Sequence, residues 1–398
     1  MDSVLEGVRV IDFGRYIAGP FCAALLGDLG AEVIRVERVD GGEDRFVVPV
    51  ADDGTGAMYL QCNRNKRGMT LNPVKPEGRE IVRRLVANAD VVVANLPPAA
   101  LKAIGLDYDS LKIIKPDIIL TTVTAFGSGG PWSDKVGFDG LAQAMSGNLH
   151  MTGEADMPTR AFVPYTDYGT AAFSALSTMA ALMHRNNTGE GQVLEGALLK
   201  TALTFMDPTL IEQHHLRLDR TATINRSPLA GPADTFETRD GWVMCVVVGG
   251  PQFERWCRLT GGESFFDDAR FKDDISRGDH GKILSAHMTL WCANRTTDEV
   301  LSALEEAKLP AGPVYSPQQA LDDAHVQAIG FMQQVGYAGT FAGTLETSPV
   351  ADYPVSLSAT PGTIRKGAPQ LGEHTDEILL ELGYAAADIQ RMRDTRVV

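Results

Sequence analysis

Residues 8–37, VRVIDFGRYIAGPFCAALLGDLGAEVIRVE, decide the fold. Val8-Arg-Val-Ile-Asp12 reads as a short buried strand. Gly19-Pro20 then opens a helical stretch that runs through Leu29, with proline suited to a first helical turn because that turn needs no N–H donor there. Gly30 stops the helix, and Ala31 to Glu37 reads as a second strand. Strand, helix and strand within about 30 residues form a βαβ unit, which requires parallel pairing. The signal recurs in Asp90-Val-Val-Val-Ala-Asn95 and Asp117-Ile-Ile-Leu-Thr-Thr-Val123, with Glu77–Ala89 helical before them. The expected fold class is α/β, with a Rossmann-like large domain. The early glycines do not form GxGxxG after the first strand, so a nicotinamide cofactor is poorly supported.

Beyond residue 225 the character changes. Ala233–Gly241 is turn-rich and leads into a strand over Trp242–Val248, then Gly249-Gly250-Pro251 and an amphipathic helix over Gln252–Leu259. The expected organisation is a first part of the large domain over 1–200, a linker over 201–225, a smaller α+β domain over 226–315, and a return segment over 316–398. Acidic residues early in Gly372–Gly383, and the glycine past its end, mark a helix there.

At 398 residues the chain can bury a large core, and its 44% hydrophobic and 22% charged content is ordinary for a globular protein. A net charge of -15 argues against a nucleic-acid surface, because no basic excess exists to neutralise phosphates. Five scattered cysteines without a CxxC pair fit a reducing compartment and give no zinc spacing. His214-His215 lacks the accompanying ligands that a metal site needs, so no metal is expected. Without a basic, apolar leader or a stretch long enough to span a bilayer, the expected location is the cytoplasm.

Eight tags occur in one order along the chain: Leu5–Phe13 with Ala18-Gly-Pro20, Leu29–Glu37, Asn63-Arg-Asn-Lys-Arg67, Ala89–Asn95, Gly189-Glu-Gly-Gln192, Thr238-Arg-Asp-Gly241, Leu309–Val314 and Leu371-Gly-Glu-His-Thr375. In these the chain resembles the class III CoA-transferase family, which spans formyl-CoA transferases, carnitine CoA-transferases and alpha-methylacyl-CoA racemases. The resemblance implies an interlaced, ring-like homodimer whose large domain is built from both chain ends. It implies acyl-CoA and a carboxylic acid as substrates and no permanently bound cofactor.

Asp167, in Val163-Pro-Tyr-Thr-Asp-Tyr-Gly169 ahead of the apolar stretch Thr170–His184, reads on its own as a helix N-cap. The resemblance makes it the covalent nucleophile, with Gly169 allowing close backbone approach. It also implies that Arg38, Leu71, Asn95 and Leu96 hold the adenosine end of CoA and that Tyr16 lines the pantetheine path. Lys102 and Lys135 lie one residue from family basic positions. Arg64 and Lys66, within the basic cluster 63–67, read either as CoA contacts or as a solvated turn. Gly249-Gly250 reads either as a mobile lid or as a plain strand-to-helix turn. Two departures narrow the branch. Ile17 stands where formyl-CoA transferases carry glutamine, and Phe138 stands where racemases carry histidine. Asp139 beside it is either a structural partner or a substrate contact. The expected activity is CoA transfer, with a racemase and a non-catalytic CoA-binding protein as alternatives.

Overall fold

The computed structural model describes residues 3–341 and 347–398. Two compact units emerge, one formed by residues 1–146, 162–211 and 328–398, the other by 147–161 and 212–327.

The first unit is organised on a six-stranded sheet of β1 (Arg9–Asp12), β2 (Glu32–Glu37), β3 (Lys66–Thr70), β4 (Val91–Ala94), β5 (Ile119–Thr124) and β6 (Val193–Ala197). All neighbouring pairs are parallel, in the order β3-β2-β1-β4-β5-β6. This is the doubly wound order, and it reverses between β1 and β4. The apolar runs that marked the strands follow from burial on both faces. Ile11, Ile34, Val92 and Leu120 pack with α2 (Pro76–Ala87) on one side. Val10, Val33, Val91, Val93 and Ile119 face α1 (Ala18–Asp28) and α4 (Tyr165–Thr188) on the other. A shorter helix, α3 (Asp139–Met145), precedes α4. The chain's end returns to this core, where Ile378, Leu379, Ile389, Met392, Val397 and Val398 join the α2 side.

In α1, Pro20 lies in the first turn and Gly30, at φ 108°, follows the end. Its Cβ position would lie 2.2 Å from Ser3 Cβ, so only glycine fits that exit. The stretch 201–225, expected as a linker, is helical as far as Leu216 within α5 (Leu198–Leu216). Residues 147–161, expected in the large domain, belong instead to the second unit. That unit carries a three-stranded antiparallel sheet of β7 (Ala233–Glu237), β8 (Trp242–Val246) and β9 (Ala311–Pro313), with β8 central. Trp256, Phe253 and Leu284 lie in its core. No helix among the described residues is long and apolar enough to cross a membrane.

The first unit contains a buried charge network. The Lys66 ammonium is fully buried and donates to Asp12 Oδ2 at 2.7 Å, Pro20 O at 2.7 Å and Asn63 Oδ1 at 3.0 Å. Arg64 pairs with Asp28 at 2.6 Å, and Arg67 pairs with Glu32, Glu377 and Glu381. Residues 63–67 are therefore neither a solvated turn nor free to reach a ligand; the tertiary structure uses their charges internally. Lys66→Met leaves Asp12 short of one partner in a fully buried site. It is expected to lower stability by about 3 kcal/mol or more, read as an earlier urea midpoint at unchanged slope.

Candidate active site

The site forms where the strand order reverses, at the carboxyl ends of β1 and β4. Asp12 ends β1 and accepts the Gly14 N–H at 2.7 Å, turning the chain back sharply. Asn95 follows β4 and grips the same loop in both directions. Its Nδ2 donates to Arg15 O at 2.8 Å, and its Oδ1 accepts the Arg15 N–H at 2.5 Å. Between these anchors Tyr16 adopts φ 59°, a left-handed conformation that a bulky residue keeps only where its surroundings over-determine it. The Tyr16 ring meets Phe138 edge to face, with centroids 5.7 Å apart.

A cleft of about 390 Å³ opens here, with Tyr16, Asn95, Leu96, Lys135, Phe138 and Asp167 in its wall. A second cavity of about 90 Å³ has Arg38, Leu71 and Leu96 in its wall, and the two share Arg15 and Leu96. The structure thus brings together most of the residues expected to contact CoA.

Asp167 is the third residue of α4 and not its cap, which is Pro164. Among the described residues no hydrogen bond reaches its carboxylate. Burial, with a smaller contribution from the Asp139 charge, pushes its carboxyl up to about 7. The helix N-terminus opposes that shift but does not overcome it. Asp139 has the opposite environment. It is buried and accepts the Thr166 N–H at 2.8 Å, the Thr166 hydroxyl at 2.5 Å and Gln143 Nε2 at 2.5 Å. Of its two open readings, the geometry matches the structural partner, holding the first turn of α4 beside Asp167. One first-turn amide is thereby consumed and unavailable to a ligand.

The remaining expected residues lie elsewhere. Lys102 is exposed on the short helix Pro98–Ala103, outside both cavity walls. Arg64 and Lys66 are consumed in the buried network. Ile17 is buried at the start of α1 and also outside the cleft wall. Gly169 serves helix packing, because a Cβ there would lie 2.8 Å from the Phe205 ring of α5. Gly249, in the second unit, has φ 81° and donates its N–H to the Asp274 carboxylate at 2.9 Å, just before α6 (Gly250–Thr260). That is the geometry of a strand-to-helix turn.

Sequence reasoning missed Arg15, which lines both cavities, and the wall formed by Pro97, Pro98, Val123 and Gly137. A Cβ on Gly137 would lie 2.7 Å from Ala125 Cβ, so its loop can close tightly over the end of β5. For Arg15, Pro97, Pro98 and Gly137 the sequence signal is their nearness to Tyr16, Leu96 and Phe138, whereas Val123 is marked only as the end of a strand run.

The family model of CoA-transferase family III matches residues 5–375. The succinate–glutarate CoA-transferase of Agrobacterium fabrum is 34% identical over 396 residues, covering 95% of each chain. The succinyl-CoA–D-citramalate CoA-transferase of Chloroflexus aurantiacus is 32% identical, covering 99% of this chain and 98% of its own. Among solved structures, a CaiB/BaiF family protein from Brucella suis superposes with a TM-score of 0.84 at 30% identity, over 96% of this chain and all of its own. With a match across nearly its whole length, the chain belongs to CoA-transferase family III.

Proposed function

We propose that this enzyme moves CoA between an acyl-CoA thioester and a carboxylic acid, with Asp167 as covalent carrier. The observation that carries the reading is the Asp167 carboxylate itself, placed in the cleft wall without a hydrogen bond. A carboxylate free of donors keeps its lone pairs for attack.

One Asp167 oxygen attacks the thioester carbonyl carbon, the C–S bond breaks, and CoA leaves as thiolate. The product is a mixed anhydride of the acyl group and Asp167. The thiolate attacks the aspartyl carbonyl carbon, expels the donor acid as carboxylate and leaves an aspartyl-CoA thioester. An acceptor carboxylate attacks that thioester and frees the thiolate again. The thiolate then attacks the acceptor's carbonyl in the new anhydride, forming product acyl-CoA and releasing Asp167. Each step exchanges one acyl bond for another, and the mostly apolar wall of Leu96, Pro97, Val123 and Phe138 limits competing water. Arg38, Leu71, Asn95 and Leu96 serve the adenosine end, and Tyr16 the pantetheine path. Lys135, whose ammonium lies 3.7 Å from the Trp132 ring centroid, supplies a cation at the rim.

Succinyl-CoA with a small dicarboxylate is the proposed substrate pair, supported by the substrates named for the Agrobacterium and Chloroflexus relatives. A racemase would need a second proton-transfer group opposite Asp167. Phe138 provides none, and the Asp139 carboxylate is occupied by three donors. We place the enzyme in the cytoplasm, a reading supported by five unpaired, buried cysteines. We also infer an interlaced homodimer. Its support is the exposed apolar side chains of Leu176 and Met183 on α4 and Phe205 and Ile211 on α5, which a lone chain would leave in water.

Asp167→Ala should remain folded and lose transferase activity by several orders of magnitude. Hydroxylamine added after acyl-CoA should label Asp167 in the wild type only. The same preparation, given 2-methylacyl-CoA in D₂O, should incorporate no deuterium at the α-carbon. Near-normal turnover by Asp167→Ala would defeat the assignment of the nucleophile, and rapid exchange would favour a racemase.

The pH dependence follows from the raised carboxyl. Only ionised Asp167 attacks, so kcat/KM should rise with pH and level off above an inflection near 7. In the unfolded chain the same carboxyl titrates near its ordinary value of 3.8. The folded protein therefore binds the extra proton between these values, and this group's contribution to stability falls as pH rises through that window. Asp167→Asn removes the loss, which for a carboxyl moved from 3.8 to about 7 amounts to about 4 kcal/mol at pH 8, and should be more stable than wild type there by up to that amount. The difference should vanish toward pH 4. A rate profile flat from pH 5 to 8 would contradict both expectations.

An interlaced dimer should not release a folded monomer, so sedimentation on dilution should pass from dimer directly to unfolded chain. A compact monomer at low concentration would refute the interlacing.

A further inference from the structure

The smaller cavity has an unusual charge arrangement. Arg15 and Arg38 both stand in its wall, and both guanidinium groups are drawn to one carboxylate, Glu43. Its Oε1 accepts from Arg38 Nη2 at 2.8 Å, while its Oε2 pairs with Arg15 Nη2. Glu43 begins a single 3₁₀ turn, Glu43–Phe46, and its side chain is 57% exposed. It is therefore tethered lightly, unlike the buried carboxylates nearby. Asp44, one residue on, is fixed by Arg35 at 2.7 Å, and the side chains of both are almost wholly buried. Arg15 Nε, itself shielded from water, has no hydrogen-bond acceptor, although Asp44 Oδ1 lies 3.4 Å away. Two guanidinium groups with donors to spare thus converge on one movable negative charge beside the smaller cavity.

We propose that Glu43 is a displaceable counter-ion, occupying the anion position between Arg15 and Arg38 until a phosphate group of CoA exchanges with it. This rests on the reading of the groove as the CoA site. A carboxylate between two guanidinium groups offers one negative charge and two oxygens. A phosphate offers more charge and a third oxygen, matching the unused Arg15 donor. If Glu43 stayed in place, the phosphate would meet a like charge at contact distance; an exposed side chain on a one-turn helix can swing away at little cost. The arrangement keeps the two arginines apart and oriented in the empty enzyme, and it weakens CoA binding by the strength of the contacts that must be exchanged. A transferase benefits from that weakness, since the CoA thioester must also leave.

The test is calorimetric titration of the full-length enzyme with CoA. Glu43→Gln should lower Kd about 3- to 10-fold at low salt, and the gain should shrink in 0.5 M salt as the exposed charges are screened. Glu43→Ala, measured beside it, should show the same direction, with thermal unfolding used to verify that both variants fold. Asp40→Asn removes one charge from the same loop at a carboxylate that pairs with Arg396 at 2.5 Å, and should change Kd less than twofold. Dephospho-CoA separates the two sources of the anion. A gain lost with dephospho-CoA identifies the 3′-phosphate, and a gain retained identifies the pyrophosphate. An unchanged or higher Kd in both Glu43 variants overturns the proposal, as does an equal gain in Asp40→Asn. If the wild type itself does not bind CoA, it is the reading of the groove that fails.

Discussion

The architecture of the site depends on one buried carboxylate, Asp12. It has no exposure, and it accepts from Lys66 of β3 and Gly14 of the following loop, with Arg35 of β2 3.6 Å away. Burial alone would push its carboxyl up, but the two cations and the hydrogen bonds outweigh that and hold it below its ordinary value. Lys66 shows the converse, since burial outweighs the attraction of Asp12 and its ammonium titrates below the usual lysine range. Such a cluster contributes little net stability compared with an apolar core, but breaking it is costly. Its effect here is geometric, because three adjacent strands and the turn after β1 share one centre. The left-handed backbone at Tyr16 can persist because Asp12 holds one side of the loop and Asn95 the other.

The proposed chemistry depends on a contrast between two nearby carboxylates. Asp139 is satisfied by three donors and anchors the first turn of α4, whereas Asp167, on that turn, has none. Asp139, at the start of α3, holds the first turn of α4 and also raises the proton affinity of Asp167, the proposed nucleophile, on that turn. The proposed nucleophile is therefore near half-ionised around neutrality. It can be activated by small changes in its surroundings when a cationic or hydrogen-bonding ligand arrives.

How much of this the sequence reveals depends on the range of the interaction. The βαβ order was legible because strand runs buried on both faces are written as Val10-Ile11, Val33-Ile34 and Val91-Val92-Val93, and helix ends as Pro20 and Gly30. Family membership was legible in tags spread from Leu5 to Thr375. The basic cluster 63–67 was not, since its partners Asp28, Asp12 and Glu381 are distant in sequence and only folding supplies them. The helical continuation through 201–216 and the transfer of 147–161 to the second unit likewise follow from packing, not local composition.

By itself, then, the sequence determined the parallel α/β class, the acidic character, and Asp167 as a carboxylate near a helix start. Those follow from local periodicity and residue chemistry. Only the tertiary structure decided that Asp167 lies within the helix without a partner, that Asp139 is consumed by Thr166 and Gln143, and that Arg15 and Arg38 converge on Glu43. The reason is solvation: whether a charge is buried, paired or free depends on residues far away along the chain, and that relation exists only after the sheet has assembled.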